Sequence, residues 1–285
     1  MANVGSLFKT SGQRFLYDRA PRMAAALAYY TAFSLAPLLV IVTLVAGVFV
    51  GEETAQGEIA NQIESTIGPQ AAEVAEAAIR NAKSIDGSLW STLISVGALL
   101  FGATVVFLQL QDALNKIWDV PVEQRGSGLK SLLLKRVLSL GMVVASGFLL
   151  LVSLIISTAL SALGQTLAQY VPVSSTFMRI LSLGTSVALI TVIFALIYRY
   201  LPDTDVAWGE VWWGALLTSL LFTIGRWLLG IYLGVAAPAS VYGAAGSFAI
   251  ILLWVYYSAQ IILFGAEFTH AYAERQRQPQ PATAT

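Results

Sequence analysis

The stretch SLLFTIGRWLLGIYLG, residues 219–234, is apolar enough for a membrane helix except at Arg226. A guanidinium keeps its charge in proteins. One held at bilayer depth normally faces a bundle interior or a wet cavity and has a partner. On an apolar run of about 211–235, Arg226 lies about 14 Å from the outer end at about 1.5 Å per residue, near the midplane. Tyr256, on a later run of opposite direction, is level with it, and Gln260 is about one turn deeper. Glu267 is about 16 Å further along than Tyr256, and Asp112 and Glu210 also fall at span ends, so no carboxylate shares the depth of Arg226. The partners left are backbone carbonyls, Tyr hydroxyls, Gln260, water, or an anion from outside the chain. The planar fork suits the last, because it takes phosphate or carboxylate in two parallel hydrogen bonds. The competing reading is structural, with Arg226 snorkelling to lipid headgroups or bonding exposed carbonyls.

Other polar residues recur at helical spacing. Tyr30, Ser34 and Pro37 share a face of the first apolar run. Pro37 cannot donate to the carbonyl of Phe33, so it marks a kink that serves either as a hinge or as packing. Tyr256, Gln260 and Glu267 share a face of the last run, with Glu267 expected at the boundary, solvated or paired with a basic loop residue. Ser219, Thr223, Arg226 and Gly230 line up on the fifth, where Gly230 and Gly234 form a small-xxx-small step for close helix packing. Trp118 and the group Trp208, Trp212 and Trp213 read as interfacial anchors. Asn115 reads as a loop or capping residue without a catalytic role, and Tyr242-Gly243 as a helix-entry turn.

Enzyme chemistry finds little material. The chain has no cysteine and one histidine, His270, so it offers neither a thiolate nor a metal-ligand cluster. No nucleophile and base, and no pair of carboxylates, share a depth. A phosphate-binding loop is missing too. The expectation is no enzyme, no cofactor and no metal. Of the 285 residues 57% are hydrophobic and only 11% charged, against about 25% charged in a soluble domain, and mean hydropathy is +0.73. Sixteen basic and sixteen acidic residues cancel, which removes the general basic surface a nucleic-acid partner needs.

The elements that must position these residues are apolar runs of about 20 residues, the length that crosses about 30 Å of hydrocarbon. Six occur, at about 23–50, 89–110, 137–160, 178–200, 211–235 and 246–267. Twelve of the sixteen basic residues fall on the side of the termini, three on the other, and Arg226 between. The excess of Lys and Arg places both termini in the cytoplasm. The predicted fold is therefore all-α: a polytopic membrane protein with six transmembrane helices in a single membrane domain, residues 23–270. Residues 1–22 read as an amphipathic interfacial helix, with Lys9, Arg14 and Arg19 available to lipid phosphates. The 51–88 connection, with six Glu and one Asp, reads as short amphipathic helices in an external loop. Residues 271–285 read as a disordered cytoplasmic tail.

Three stretches, AAALAYYTAFSLAPLLV in the first run, YRYLPD after the fourth and SVYGAAGSFAIILLWVYYSAQIILFGAEF through the sixth, resemble the YihY family, also called the virulence factor BrkB family, of bacterial inner-membrane proteins. DALNKIW after the second run extends the likeness over nearly the whole chain. The resemblance implies six helices with cytoplasmic termini. Members have carried the labels ribonuclease BN, serum-resistance factor and transporter; one histidine and no basic face give the ribonuclease label no support here.

The expected function is a transporter or lipid-handling protein of the bacterial inner membrane. In this reading Arg226, Tyr256, Gln260, Tyr30 and Ser34 line a polar cavity between spans one, five and six, and Pro37 is the hinge. The expected partners are membrane lipids, among them an anionic lipid or a small anionic substrate, and not nucleic acid; a homo-oligomer is left open. The alternative is a non-transporting scaffold for envelope proteins, with the acidic 51–88 region as its docking surface and Arg226 structural.

Overall fold

The computed structural model describes residues 4–67, 72–73, 75–77, 79–80, 97, 105–121, 123, 175–236 and 244–277. Among them there is helix, turn and bend but no strand. The helices are α1 (Val4–Tyr17), α2 (Ala20–Val50), α3 (Glu52–Ile67), α4 (105–117), α5 (Ser175–Tyr200), α6 (Trp208–Ala236) and α7 (Ala244–Arg277). The all-helical expectation is met, and three helices are long and apolar enough to cross a membrane: Leu183–Tyr200, Trp208–Leu229 and Phe248–Arg277. They are the fourth, fifth and sixth predicted runs. α2 coincides with the first run. The second is described only at residues 97 and 105–110, and the third, 137–160, lies outside the described residues, as do 81–88 of the acidic connection and 278–285 of the tail.

Helix ends follow local chemistry. Arg19 precedes α2 in the left-handed region at φ 57°, and Pro21 sits in its first turn, where its fixed φ suits a helix start. Gly51 stops α2 at φ 87°, with its N–H returned to the Gly47 carbonyl at 2.9 Å; a side chain is disfavoured there, so glycine separates α2 from α3. Glu210, in the first turn of α6, reaches back to accept the N–H of Ala207 at 3.2 Å, half of a capping box. α7 runs about ten residues past the predicted end of the last run, so 271–277, expected in the tail, are helical.

The described residues fall into two compact units, one drawn from 1–18, 114–221 and 262–285, the other from 19–113 and 222–261. In the second, Leu39 of α2 packs with Ala75 and Ile79, against which Ile59 and Ile63 of α3 lie. Phe222 of α6 meets Trp254 of α7 edge-on at 5.9 Å, and Gly225 leaves room for the ring of Tyr257.

In the first unit α6 and α7 touch at their backbones. A Cβ on Gly214 would overlap the Thr269 hydroxyl, and a Cβ on Gly265 would overlap the Thr218 hydroxyl. Each threonine follows the glycine of its own helix by four residues and donates to that glycine's carbonyl, Thr218 to Gly214 at 2.7 Å and Thr269 to Gly265 at 2.8 Å. Rising numbers on α6 meet falling numbers on α7, so the pair is antiparallel and reciprocal. The surroundings of Gly230 and Gly234, to which the sequence pointed for close packing, lie outside the described residues; among the described residues tight approaches occur at Gly214, Gly225 and Gly265. Overpacking costs about 1–3 kcal/mol, so Gly265→Ala should lower the apparent melting temperature of the detergent-solubilised protein. Gly12→Ala, where nothing lies within 4 Å, should leave it unchanged or raise it.

Candidate functional site

α6 carries Arg226 outward. Its side chain is exposed, and among the described residues it makes no hydrogen bond or ion pair. At 3.6 residues per turn, Leu220, Ile224, Trp227, Leu228 and Ile231 share one arc of α6. All five are exposed, Trp227 to 67%, whereas Arg226 projects about 100° around the helix from Trp227, the nearest of them. The apolar stretch Trp208–Leu229 leaves Arg226 one turn from its end rather than central. Of the other predicted site residues, Tyr256 and Gln260 on α7 are half-buried, and Tyr30 on α2 is exposed, edge-on to Tyr29 at 5.6 Å. α2 is helical through Ser34 and Pro37, whose side chains lie outside the described residues.

The denser polar assembly was not singled out in the sequence. α1 lays Leu7 against Phe268 and Ala271 of α7, Phe8 against Phe264 and Phe268 at 6.3 and 5.3 Å, and Phe15 edge-on to Phe264 at 5.9 Å. That apolar contact delivers Arg14 to α7, where Nη1 donates to His270 Nδ1 at 2.8 Å and Nη2 donates to Glu274 at 2.9 Å. Arg275 returns a bond to Ser6 Oγ at 2.9 Å. Arg14 is thus a protein contact and not, as expected, a group for lipid phosphates. Leu16 and Tyr17, 70% and 85% exposed, are the most exposed apolar residues of α1.

Trp118 packs within the same assembly. Its ring lies 6.2 Å from those of Tyr198 and of His270, so it has protein aromatic neighbours that the sequence did not suggest. Tyr198 is fully buried, with its hydroxyl 2.7 Å from the Ile262 carbonyl and 2.8 Å from Thr218 Oγ1. Asn115, fully buried, donates Nδ2 to Asp203 Oδ2 at 2.8 Å and accepts the Asp203 N–H at 2.7 Å. The amide thereby joins DALNKIW to YRYLPD. Glu210 is buried and takes Arg277 at 3.2 Å. Glu267 is the largest departure: fully buried, with both carboxylate oxygens lacking a hydrogen bond, it is neither solvated nor bridged to a base.

A shallow cavity of about 330 Å³ opens on the loop after α5, lined by Arg199, Tyr200, Pro202, Asp203, Thr204 and Asp205. Arg199 bonds the Val206 carbonyl there and lies 3.9 Å from Asp205. None of the predicted site residues lines it. No group of three or more His, Cys, Asp or Glu among the described residues is placed to hold a metal ion.

The family model for virulence factor BrkB matches residues 11–285. The chain belongs to the virulence factor BrkB family. It is similar to a UPF0761 membrane protein of Pseudomonas paraeruginosa, 30% identical over 255 residues, covering 89% of this chain and 59% of that protein. A UPF0761 membrane protein of Stenotrophomonas maltophilia is 29% identical over 268 residues, covering 93% and 60%. The chain spans about 60% of the length of these curated relatives. No solved structure matches. With apolar helices of spanning length and relatives named membrane proteins, this member of the family is a membrane protein.

Two family-like motifs meet at Asn115, so its removal takes away both hydrogen bonds that the fully buried amide makes to Asp203. A hydrogen bond contributes about 0.5–1.5 kcal/mol, so two contribute about 1–3 kcal/mol. Asn115→Ala should lower thermal stability by that order, and Asn115→Asp, which sets two carboxylates together, should lower it further.

Proposed function

We propose that this protein handles an anionic, amphipathic lipid in the bacterial inner membrane, with Arg226 as the group that holds the anion. The observation that carries the reading is an exposed guanidinium beside Trp227 on α6, where residues 226–228 are all exposed. An acyl chain would lie against the exposed Trp227, while the fork of Arg226 grips the phosphate in a bidentate pair. Entry is lateral, from the lipid phase. Depth supports this: Arg226 is about 13 residues beyond the exposed Trp213, or about 20 Å at about 1.5 Å per residue, in a hydrocarbon layer of about 30 Å. Tyr256 and Gln260 offer further hydrogen-bonding groups, and the protein acts as a carrier rather than an enzyme.

The reading includes the six-crossing topology with both termini in the cytoplasm, supported by the excess of Lys and Arg on that side. Because the chain has no cysteine, single cysteines can test it. In intact cells Glu58→Cys should react with a membrane-impermeant maleimide, whereas Lys9→Cys should react only after lysis; the reverse pattern refutes the orientation.

For the site itself, native mass spectrometry should find an anionic phospholipid on the wild type that is lost from Arg226→Gln, with unchanged thermal stability and slowed movement of a fluorescent anionic lipid in vesicles. Equal lipid retention and equal movement would refute it. A loss of stability without a lipid-dependent difference would instead support the scaffold reading.

A further inference from the structure

Glu267 and Glu210 are both buried carboxylates, yet they are treated in opposite ways. Glu210 takes Arg277 and the N–H of Ala207, whereas both oxygens of Glu267 are closed off from solvent without a hydrogen bond. Buried polar groups are nearly always satisfied, and an ionised carboxylate stripped of water and left unpaired costs several kcal/mol. An ionisable group in this position in a membrane protein is a functional candidate with its partner to be named.

The charged groups around it are few. From α1 and the turn after it come Arg14 and Asp18, and from the turn after α4 comes Asp119. His270 and Glu274 follow on α7. Lys116 is occupied with the Asp18 carbonyl at 2.6 Å, and α6 offers only the neutral Gly214 and Thr218 at the nearby crossing. Two acids thus bear on Glu267 against one cation, Arg14. That cation is committed elsewhere, to His270 and Glu274. Because a guanidinium can only donate, His270 Nδ1 must accept, so the imidazole is neutral with its proton on Nε2. The arrangement is consistent only if Glu267 carries no charge while α1 is docked.

The geometry points to Glu267 as a proton-binding site coupled to the docking of α1. In the docked state the proton sits on a Glu267 oxygen, and Arg14 rests on Glu274 and His270. On release, the carboxylic O–H breaks, the proton goes to bulk water, and the carboxylate keeps the electron pair, so that it repels Asp18 at the end of α1 and loosens the hold of α1 on α7. Rebinding reverses each step, so charge balances without any co-reactant. A metal is a poorer occupant, since no three acidic or histidine side chains among the described residues converge on one point. The site stands independently of the Arg226 reading.

Infrared difference spectra of the full chain in lipid bilayers test this across a pH titration. At neutral pH the wild type should show the C=O band of a neutral carboxylic acid, lost on raising the pH and lost altogether in Glu267→Gln. The subtraction separates Glu267 from Asp18, Asp119 and Glu274, and an imidazole contributes no such band. A spin label on Tyr17→Cys, at an exposed position of α1, should gain mobility over the same pH range, but not when Glu267→Gln is also present. If Glu267→Gln does not fold, Glu267→Asp should move the midpoint of the band. No neutral-acid band at neutral pH, a band that survives Glu267→Gln or keeps its midpoint in Glu267→Asp, or a label indifferent to pH would overturn the proposal.

Discussion

Within the unit that holds the polar assembly, the arrangement depends on the backbone approach of α6 to α7 at Gly214 and Gly265. Inside a bilayer, burying leucine against a neighbouring helix brings little that lipid does not, so association rests on shape and on hydrogen bonds. Two glycines supply the shape by omitting a side chain where the other helix presents a threonine. The threonines bond their own helices and so present no unsatisfied hydroxyl to the contact. The same crossing sets Thr218 beside Tyr198, whose hydroxyl also lies within bonding distance of the Ile262 carbonyl. Three helices are therefore joined around one small-residue contact, and the polar residues beyond it inherit their positions.

From that crossing outward the chemistry becomes progressively more charged. Tyr198 leads to Trp118, Trp118 to His270, and His270 to Arg14 and Glu274. Asn115, one helical turn before Trp118, binds Asp203 in the loop after α5. Each link on its own is ordinary. In series they fix the end of α4, the loop after α5 and the far part of α7 relative to α1, with the unpaired carboxylate of Glu267 inside.

The helices were legible because hydrophobic runs of spanning length have few other readings, and the family was legible from four motifs. The polar assembly was not, for a physical reason. Asn115 and Asp203 are 88 residues apart and Arg14 and His270 are 256 apart, and no local period links such pairs. Glu267 was misplaced because depth counted along one helix cannot see α1 covering it. The glycine contact did leave a trace that went unread, a glycine followed four residues later by threonine in both α6 and α7. Arg226 was correctly seen as the anomalous charge of its run. Its exposure depends on which neighbours flank α6, and that is not written in the run itself.

The docking of α1 has a consequence for how the chain is made. α1 is synthesised early, but its partners Phe264, Phe268, His270 and Glu274 emerge about 250 residues later. At about 5–20 residues per second that is a delay of about 13–50 s. Throughout it Leu7, Phe8 and Phe15 have no protein to lie against, and the bilayer surface is the available shelter for them. α1, made about 250 residues before its partners, is thus among the last of the described helices to find its seat, and assembly closes by joining the two extremes of the described chain.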